Sequence, residues 1–493
     1  MQSRKVTPRK LRPLLLLGVT LRLCGSARNM HPHAAVSPPP RNLHPPFRSF
    51  TMRLLLFLLA IPLAAQEPLS LRDAVRLAVR ENKALSATGS ALSASEARIA
   101  QARAGMLPKI NYTESFSRSD NPVFVFGSLL TQHQFGPENF AIDTLNRPAF
   151  LNNFQSLLTL DQILYDARQT RNSVSSAVLL HQMSAEDQRR VRMDVIAATA
   201  RAYYDAVLAA EMLAAAAQSV RSATADLNRA NDVRTAGMST DADVLSIRVH
   251  LAAVTEQRIA RAADLDIARS ALNDSLGLPL DTPHTLTTAL TALDLPDLAL
   301  DTLESSASSA RPEALASRFA TTLAQTQADT ARSAMLPQVG FHAAFEADRQ
   351  RFVTRGGANW LAAISLRWNL FNGSADKARI AETSHLVQRA AADQQRADSA
   401  IHLQVRRAFA ALKAAQQRIE VARAAVDEAA ESLRITQNRY AAGMNNVTDL
   451  LRTETAVLES RTHYLAAIHD QRVAATMLEL AAGRLNADSE ALN

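Results

Sequence analysis

Residues of the types that carry catalysis are present but scattered. Nine histidines lie beyond position 51, and no two sit at a spacing that puts paired metal ligands on one helix face; His463 and His469 are six apart. The single cysteine, Cys24, falls in the first 51 residues, so the rest of the chain has neither a disulfide nor a thiolate metal site. There is no phosphate-cradling glycine loop, no His-Glu-x-x-His and no Gly-x-Ser-x-Gly. The expectation is a protein that is not an enzyme and has no cofactor. What does recur is a glycine followed six residues later by an acid, Gly237 to Asp243 and Gly443 to Asp449. A glycine that ends one helix and an acid in the first turn of the next is a favourable pattern, worth about 0.3–1 kcal/mol for the charge. Such carboxylates would also gather cations if the helix ends lined an opening. Met238 and Met444 repeat beside them and are read as packing the turns rather than holding a soft metal. Trp360 and Trp368 flank an alternating segment and are read as interface anchors rather than ligand contacts.

The chain that must position these residues has 493 positions, 47% hydrophobic, 20% charged and only 5% aromatic, with 14 glycines. Abundant alanine favours long helices. The formal charge of +7 misleads, because residues 1–51 hold nine basic residues and no acid, leaving 45 basic against 47 acidic in the remainder. The basicity therefore describes a leader and not a nucleic-acid-binding surface. Residues 1–51 are read as a non-native or disordered basic leader, with translation starting at Met52. Residues 52–65, with Arg53, an apolar run from Leu54 to Ala65 and Gln66-Glu67-Pro68 beyond it, read as a secretory signal peptide. That run is too short to span a bilayer, which takes about 20 apolar residues, and no later segment reaches that length.

One offset keeps returning. Ala236-Gly237-Met238 recurs as Ala442-Gly443-Met444, 206 residues later, and the same shift pairs Arg201 with Arg407, Leu245 with Leu451, and Gly277 with Gly483. Leu164-Tyr165-Asp166 pairs with Leu370-Phe371-Asn372. The chain reads as a tandem duplication, with a first repeat over 66–285, an equatorial linker over 286–310, a second repeat over 311–485 and a tail over 486–493. Upstream the shift becomes 229, pairing Leu107-Pro108 with Leu336-Pro337, so the first repeat carries 23 extra residues, expected as a surface loop.

Each half shows the same order of elements. A helix is expected over 70–106 and again over 300–335, capped in the first case by Ser70 and stopped by Pro108 and Pro337. Alternation of period two follows: Ile110, Tyr112 and Phe116 against Asn111, Thr113 and Ser115; Val339, Phe341 and Phe345 against Gln338, His342 and Glu346. Return strands run through Leu158 to Leu160 and through Ala362 to Trp368. Strands of about ten residues with one apolar face suit a membrane barrel. From Arg168 to Thr235 and from Ser374 to Ala441 no proline interrupts, so each stretch predicts a helix of about 100 Å. Further helices are expected over 241–276 and 447–482, short enough to stack in pairs beside the long ones.

Four strands cannot close a barrel, and an open strand edge in lipid is excluded, so strands that enter a membrane require oligomerisation. A trimer would supply twelve strands and pseudo-sixfold helical symmetry. The signal peptide, the tandem repeat, Leu-Pro before each first strand, the Tyr-Asp and Phe-Asn-Gly exits from each second strand and the doubled glycine-to-aspartate turns together resemble the TolC-type outer-membrane factor family over about residues 67–485.

That resemblance implies an α+β membrane protein: a homotrimeric 12-stranded outer-membrane β-barrel continued by a long periplasmic α-helical barrel. It implies an exit channel for a tripartite efflux pump or a type I secretion system, located in the outer membrane and in contact with its lipid. Partners would be a periplasmic adaptor (membrane fusion) protein and an inner-membrane transporter of RND or ABC type, with no nucleic acid. By position in the family, Asp243 and Asp449 would constrict the periplasmic aperture, Tyr440 would help hold the closed state, and Gly237 and Gly443 would mark adaptor docking tips. Asn445 stands where some members have arginine, and Arg452 where some have a further aspartate, so the closed state must be bonded differently here. Val233-Arg234 replaces the family's arginine-aromatic pair, which Arg439-Tyr440 keeps, and Asn82-Lys83 replaces an Asn-Pro. A soluble periplasmic coiled-coil adaptor or scaffold would explain the export signal and the helices but not the doubled strands.

Overall fold

The computed structural model describes residues 67–237, 239–294, 299–353 and 356–492. The leader, the signal peptide and Met238 lie outside them. The chain begins its described part with a short strand β1 (Glu67–Leu69), which pairs in parallel with β4 (His284–Leu286). Helices α1 (Leu71–Glu81) and α2 (Lys83–Arg103) lead to strand β2 (Lys109–Ser119). Strand β3 (Leu151–Tyr165) returns to the long helix α5 (Gln169–Thr235) and its partner α6 (Asp241–Leu276). The order then repeats as α7 (Leu300–Ala310), α8 (Pro312–Ser333), β5 (Gln338–Arg349), β6 (Gly357–Arg367), α9 (Ala375–Ala441) and α10 (Val447–Ala481).

Ser70 caps α1 as its type predicts, its Oγ accepting from the Asp73 N–H at 3.2 Å. The expectation of one continuous helix over 70–106 is corrected, because the chain breaks at Asn82, where ψ turns to 127° and the side chain re-caps α2 through Ala84 N–H. The second copy breaks likewise at Arg311, ahead of Pro312. At Arg311 the proline that follows disfavours the helical region locally, and both breaks also meet a glycine from a distant helix end. Gly277 (φ +75°) at the end of α6 lies against the Glu81 carbonyl, where a Cβ would come within 2.8 Å, and Gly483 (φ +74°) at the end of α10 lies against Arg311 N, where a Cβ would come within 2.9 Å. The two repeats thus carry the same glycine-against-break contact, and Asn82 adds a hydrogen bond to the Ser275 carbonyl.

Helices α5 and α9 are 67 residues each, about 100 Å long. Helix α5 packs against α6 along one part and against α2 and α1 along the other, and α9 against α10, α8 and α7 in the same way. The stacking of shorter helices beside each long one therefore holds. Midway along α5 the main core gathers Tyr203, Tyr204, Leu71, Ile196, Leu272 and Leu276. Tyr203 Oη donates to the Leu69 carbonyl at 2.8 Å and accepts from the Thr287 and Thr288 N–H groups, so it closes the end of the β1–β4 pair. Arg472 on α10 reaches across to Tyr204 Oη (3.3 Å) and to the Thr291 carbonyl (2.7 Å), joining the second half to the first.

The four long strands form one antiparallel sheet in the order β2-β3-β5-β6. One face carries Ile110, Tyr112, Leu158, Leu160, Phe345, Trp360 and Ile364, most of them exposed; the other carries Ser115, Asn153, Gln155, Glu346 and Asp348. Trp360 lies within β6 and not beside it, while Trp368 follows β6, which separates them by roughly 26 Å of strand at 3.3 Å per residue. Glu114 and Arg349 interrupt the apolar face, where they pair at 3.0 Å and both engage Ser156. The 23-residue insertion is not only loop. Asn121 caps a helix α3 (Pro122–Thr131), with Pro122 at its first position, and α4 (Ile142–Asn146) follows. Gln132, one residue past α3, reaches the sheet through Asn153 at 2.8 Å, and Asn153 reaches Asp348 at 2.6 Å.

Replacing Gly277 or Gly483 by alanine should lower thermal stability by at least about 1–2 kcal/mol each, since a left-handed residue gains a Cβ against backbone. Calorimetry of the single variants checks this, with unchanged unfolding temperatures contradicting it.

Candidate functional site: the helical tips

The two turns that end the long helices lie at one place. Ala230, Val244, Ile247 and Val447 bury against one another, with Tyr440, Leu227 and Leu451 packed around them. This cluster brings the α5–α6 turn and the α9–α10 turn together, as a duplicated hairpin requires. Gly237 and Gly443 both adopt φ +74°, in open space, so the backbone conformation and not crowding selects glycine. Gly443 N–H donates to the Tyr440 carbonyl at 3.0 Å and Met444 N–H to the Arg439 carbonyl at 2.8 Å, which satisfies the last carbonyls of α9.

Asp243 completes a capping box. Its N–H donates to Thr240 Oγ1, while its Oδ2 accepts from the Thr240 N–H (3.2 Å), Thr240 Oγ1 (2.8 Å) and Ser239 Oγ (3.1 Å). The Thr240 hydroxyl, then its backbone N–H, hold the Asp243 carboxyl below the ordinary aspartate value. At the other tip Asn446 takes the capping role, its Oδ1 accepting from the Asp449 N–H at 2.9 Å. Asp449 and Asn445 are half-buried and Arg452 is exposed. Tyr440 packs onto the cluster from α9; burial, followed by the charges of Asp243 and Asp226, raises its hydroxyl pKa. Arg234, which occupies the position equivalent to Tyr440 in the first repeat, instead ties the turn to Asp241 at 3.0 Å.

Two or three turns further in lies a group that spacing did not single out. Asp226 on α5, His250 on α6 and Glu454 on α10 are all largely buried, and Ser222 Oγ donates to Glu454 Oε1 at 3.0 Å. At the 206-residue shift Asp226 faces Ser432 and Glu454 faces Arg248, so the repeat itself gives no cue to this group. The histidines hydrogen bond between elements: His181 with Ser95 (2.9 Å), His402 with Ser308 (2.8 Å) and His469 with Asp205 (2.7 Å).

An antiparallel sheet with one apolar face is continued by 67-residue helices that meet in paired tips. A sequence model of the outer membrane efflux protein family matches residues 74–278 and 303–484, and the chain belongs to that family. It is similar to CyaE of Bordetella pertussis, with 27% identity over 341 residues, 68% of this chain and 71% of CyaE. It is also similar to the outer membrane efflux protein BepC of Brucella suis, with 26% identity over 341 residues, 67% of this chain and 72% of BepC. Its fold matches the crystal structure of the CmeC outer membrane channel of Campylobacter jejuni with a TM-score of 0.73 at 17% identity, covering 85% of this chain and 87% of that one. The chain is thus an outer-membrane protein with a large periplasmic helical part, and the reading as a soluble coiled-coil scaffold falls away.

Substituting Thr240 by alanine should cost about 1 kcal/mol of local stability and speed amide exchange in the first turn of α6 about fivefold. Because the Asp243 pKa is lowered in the folded state, the contribution of its carboxylate is present above the ordinary aspartate value of 3.8 and is lost as pH falls through the folded value. Hydrogen exchange by mass spectrometry, read at neutral and acidic pH, checks both; equal rates in wild type and variant would contradict the capping account.

Proposed function

We propose that three copies of this chain close one barrel and form the outer-membrane exit duct of a tripartite efflux pump or a type I secretion system. The observation that carries this reading is the sheet: four strands, an apolar face and two edges, on β2 and β6, that have no partner among the described residues. Three such sheets give twelve strands, enough to enclose a lumen, and closure satisfies the edge groups that lipid cannot. The helices support the same assembly. Leu245, Val249, Ile259 and Ile267 are exposed along α6 and fall within roughly 80° of one another around its axis, a stripe suited to burial against a neighbouring copy.

In this reading substrate enters at the periplasmic tips. Asp243 and Asp449 from three copies place six carboxylates around the entrance, where they attract cations and are screened by salt. The capping bonds of Asp243 do not compete with that role, since they hold its carboxyl in the charged form. Tyr440 packs the closed tip, while Asn445 and Arg452 set its polar contacts. Gly237 and Gly443 expose the turns on which a periplasmic adaptor docks, and an inner-membrane transporter of RND or ABC type supplies the energy.

Protein reconstituted in planar bilayers should conduct ions, with a conductance that divalent cations reduce. Replacing Asp243 and Asp449 together by alanine should weaken that block several-fold and change the conductance. A double variant with wild-type conductance and block would remove both residues from the aperture, and a protein that never conducts would refute the duct.

A further inference from the structure

Helices α5 and α10 meet along a seam that binds the hairpin α5–α6 to the hairpin α9–α10. Polar bridges cross it at Tyr204–Arg472 (3.3 Å), Asp205–His469 (2.7 Å) and Ser222–Glu454 (3.0 Å). The third lies nearest the tip and is the unusual one. Asp226, one helical turn beyond Ser222, brings a second carboxyl within hydrogen-bonding reach of Glu454, and the two side chains are 7% and 8% exposed. Asp226 Oδ2 is buried and accepts from no N–H or O–H donor among the described residues. A cavity of about 290 Å³ borders Ser222, His250 and Glu454.

Two buried carboxyls in contact repel when both are ionised and attract when they hold one proton between them. The other groups facing the pair do not replace that proton. On α5, Arg229 stands 4.0 Å from Asp226 with its own side chain half in solvent. On α6, His250 Nε2 is 3.4 Å from Glu454 Oε2, and its charge acts on Asp226 as a minor opposing influence. On α9, Tyr440 feels the charges of Asp226 and Arg229, and on α10 Arg461 lines the cavity.

We propose that a proton shared by Asp226 and Glu454 is a clasp that holds hairpin α5–α6 against α10 beside the tip, and that its loss on alkalinisation slackens the seam and widens the entrance. The first half of this stands on the cluster; the second rests on the duct reading above. Burial, reinforced by the hydrogen bond to Glu454 and by its charge, pushes the Asp226 pKa up to about 7. Burial would raise Glu454 as well, but hydrogen bonds from His250, Asp226 and Ser222 outweigh it and leave its pKa lowered, so the proton resides on Asp226. A carboxyl raised on folding stabilises the folded seam fully below the ordinary aspartate value, and that contribution is lost as pH rises through about 7. The tip carboxylate Asp243, lowered by its capping bonds, keeps its charge throughout that window.

Two readouts on the full-length assembly test the clasp. Infrared difference spectra should show the carbonyl stretch of a buried protonated carboxyl that fades with a midpoint near neutral pH and is missing in Asp226→Asn. Bilayer conductance of the wild type should rise several-fold from mildly acidic to mildly alkaline pH at constant salt. Asp226→Asn, whose amide still donates to Glu454 but cannot titrate, should stay at the low-pH conductance throughout. The proposal is overturned if the band and the pH response both persist in Asp226→Asn, or if His250→Gln abolishes the response while Asp226→Asn keeps it. Absence of conductance at every pH would overturn the duct reading and the effect on the entrance together, while the infrared titration would still decide whether the shared proton exists.

Discussion

The open edges of the four-stranded sheet set the terms for the rest of the structure. β2 and β6 each present a row of backbone N–H and C=O groups with no strand beside them among the described residues. In water such edges invite pairing; in hydrocarbon each unsatisfied group costs several kcal/mol. The apolar face, on which Ile110, Tyr112, Phe345, Trp360 and Ile364 are exposed, suits the sheet to lipid. In the proposed assembly other copies complete the sheet, and the helices that leave it from one end stand side by side around a common axis. The duct follows from an edge that cannot stay open.

The duplicated half solves a second problem, which is to cover a 67-residue helix along its length with an alanine-rich interface. Each long helix is covered in two stages. Where the covering helices change over, the chain is pinned by the same device twice, Gly277 against the Asn82 break and Gly483 against the Arg311 break. The core around Tyr203 and Tyr204 sits at that level, and Arg472 carries the second half onto it. Toward the sheet the halves touch through α5 and α8 and through β3 and β5; toward the tips they touch mostly through α5 and α10, where few polar bridges cross between the hairpins.

Much of this was legible in the chain itself. The long helices announce themselves by uninterrupted alanine-rich stretches, the turns by Gly237 and Gly443, and the strands by period-two alternation. What escaped was set by contacts distant in sequence. The break at Asn82 lies against Gly277, 195 positions away along the chain, whereas the break at Arg311 is also written locally, in the Pro312 that follows it. The insertion helix α3 was hidden behind Asn121-Pro122, a pair that starts turns and helices alike. At the site, the capping reading of Asp243 needed only Thr240 three residues before it. The Asp226–His250–Glu454 group joins three helices, with Ser222 and Glu454 232 positions apart, and occupies positions where the two repeats differ. No periodicity could have found it.

The central claim is that one chain carries only a third of a barrel, and the mass of the native assembly tests that most directly. Protein extracted from outer membranes in detergent, with bound detergent subtracted by light scattering, should contain three chains. A water-soluble monomer or dimer, stable without detergent, would contradict the account, because its sheet edges would then have to be satisfied some other way.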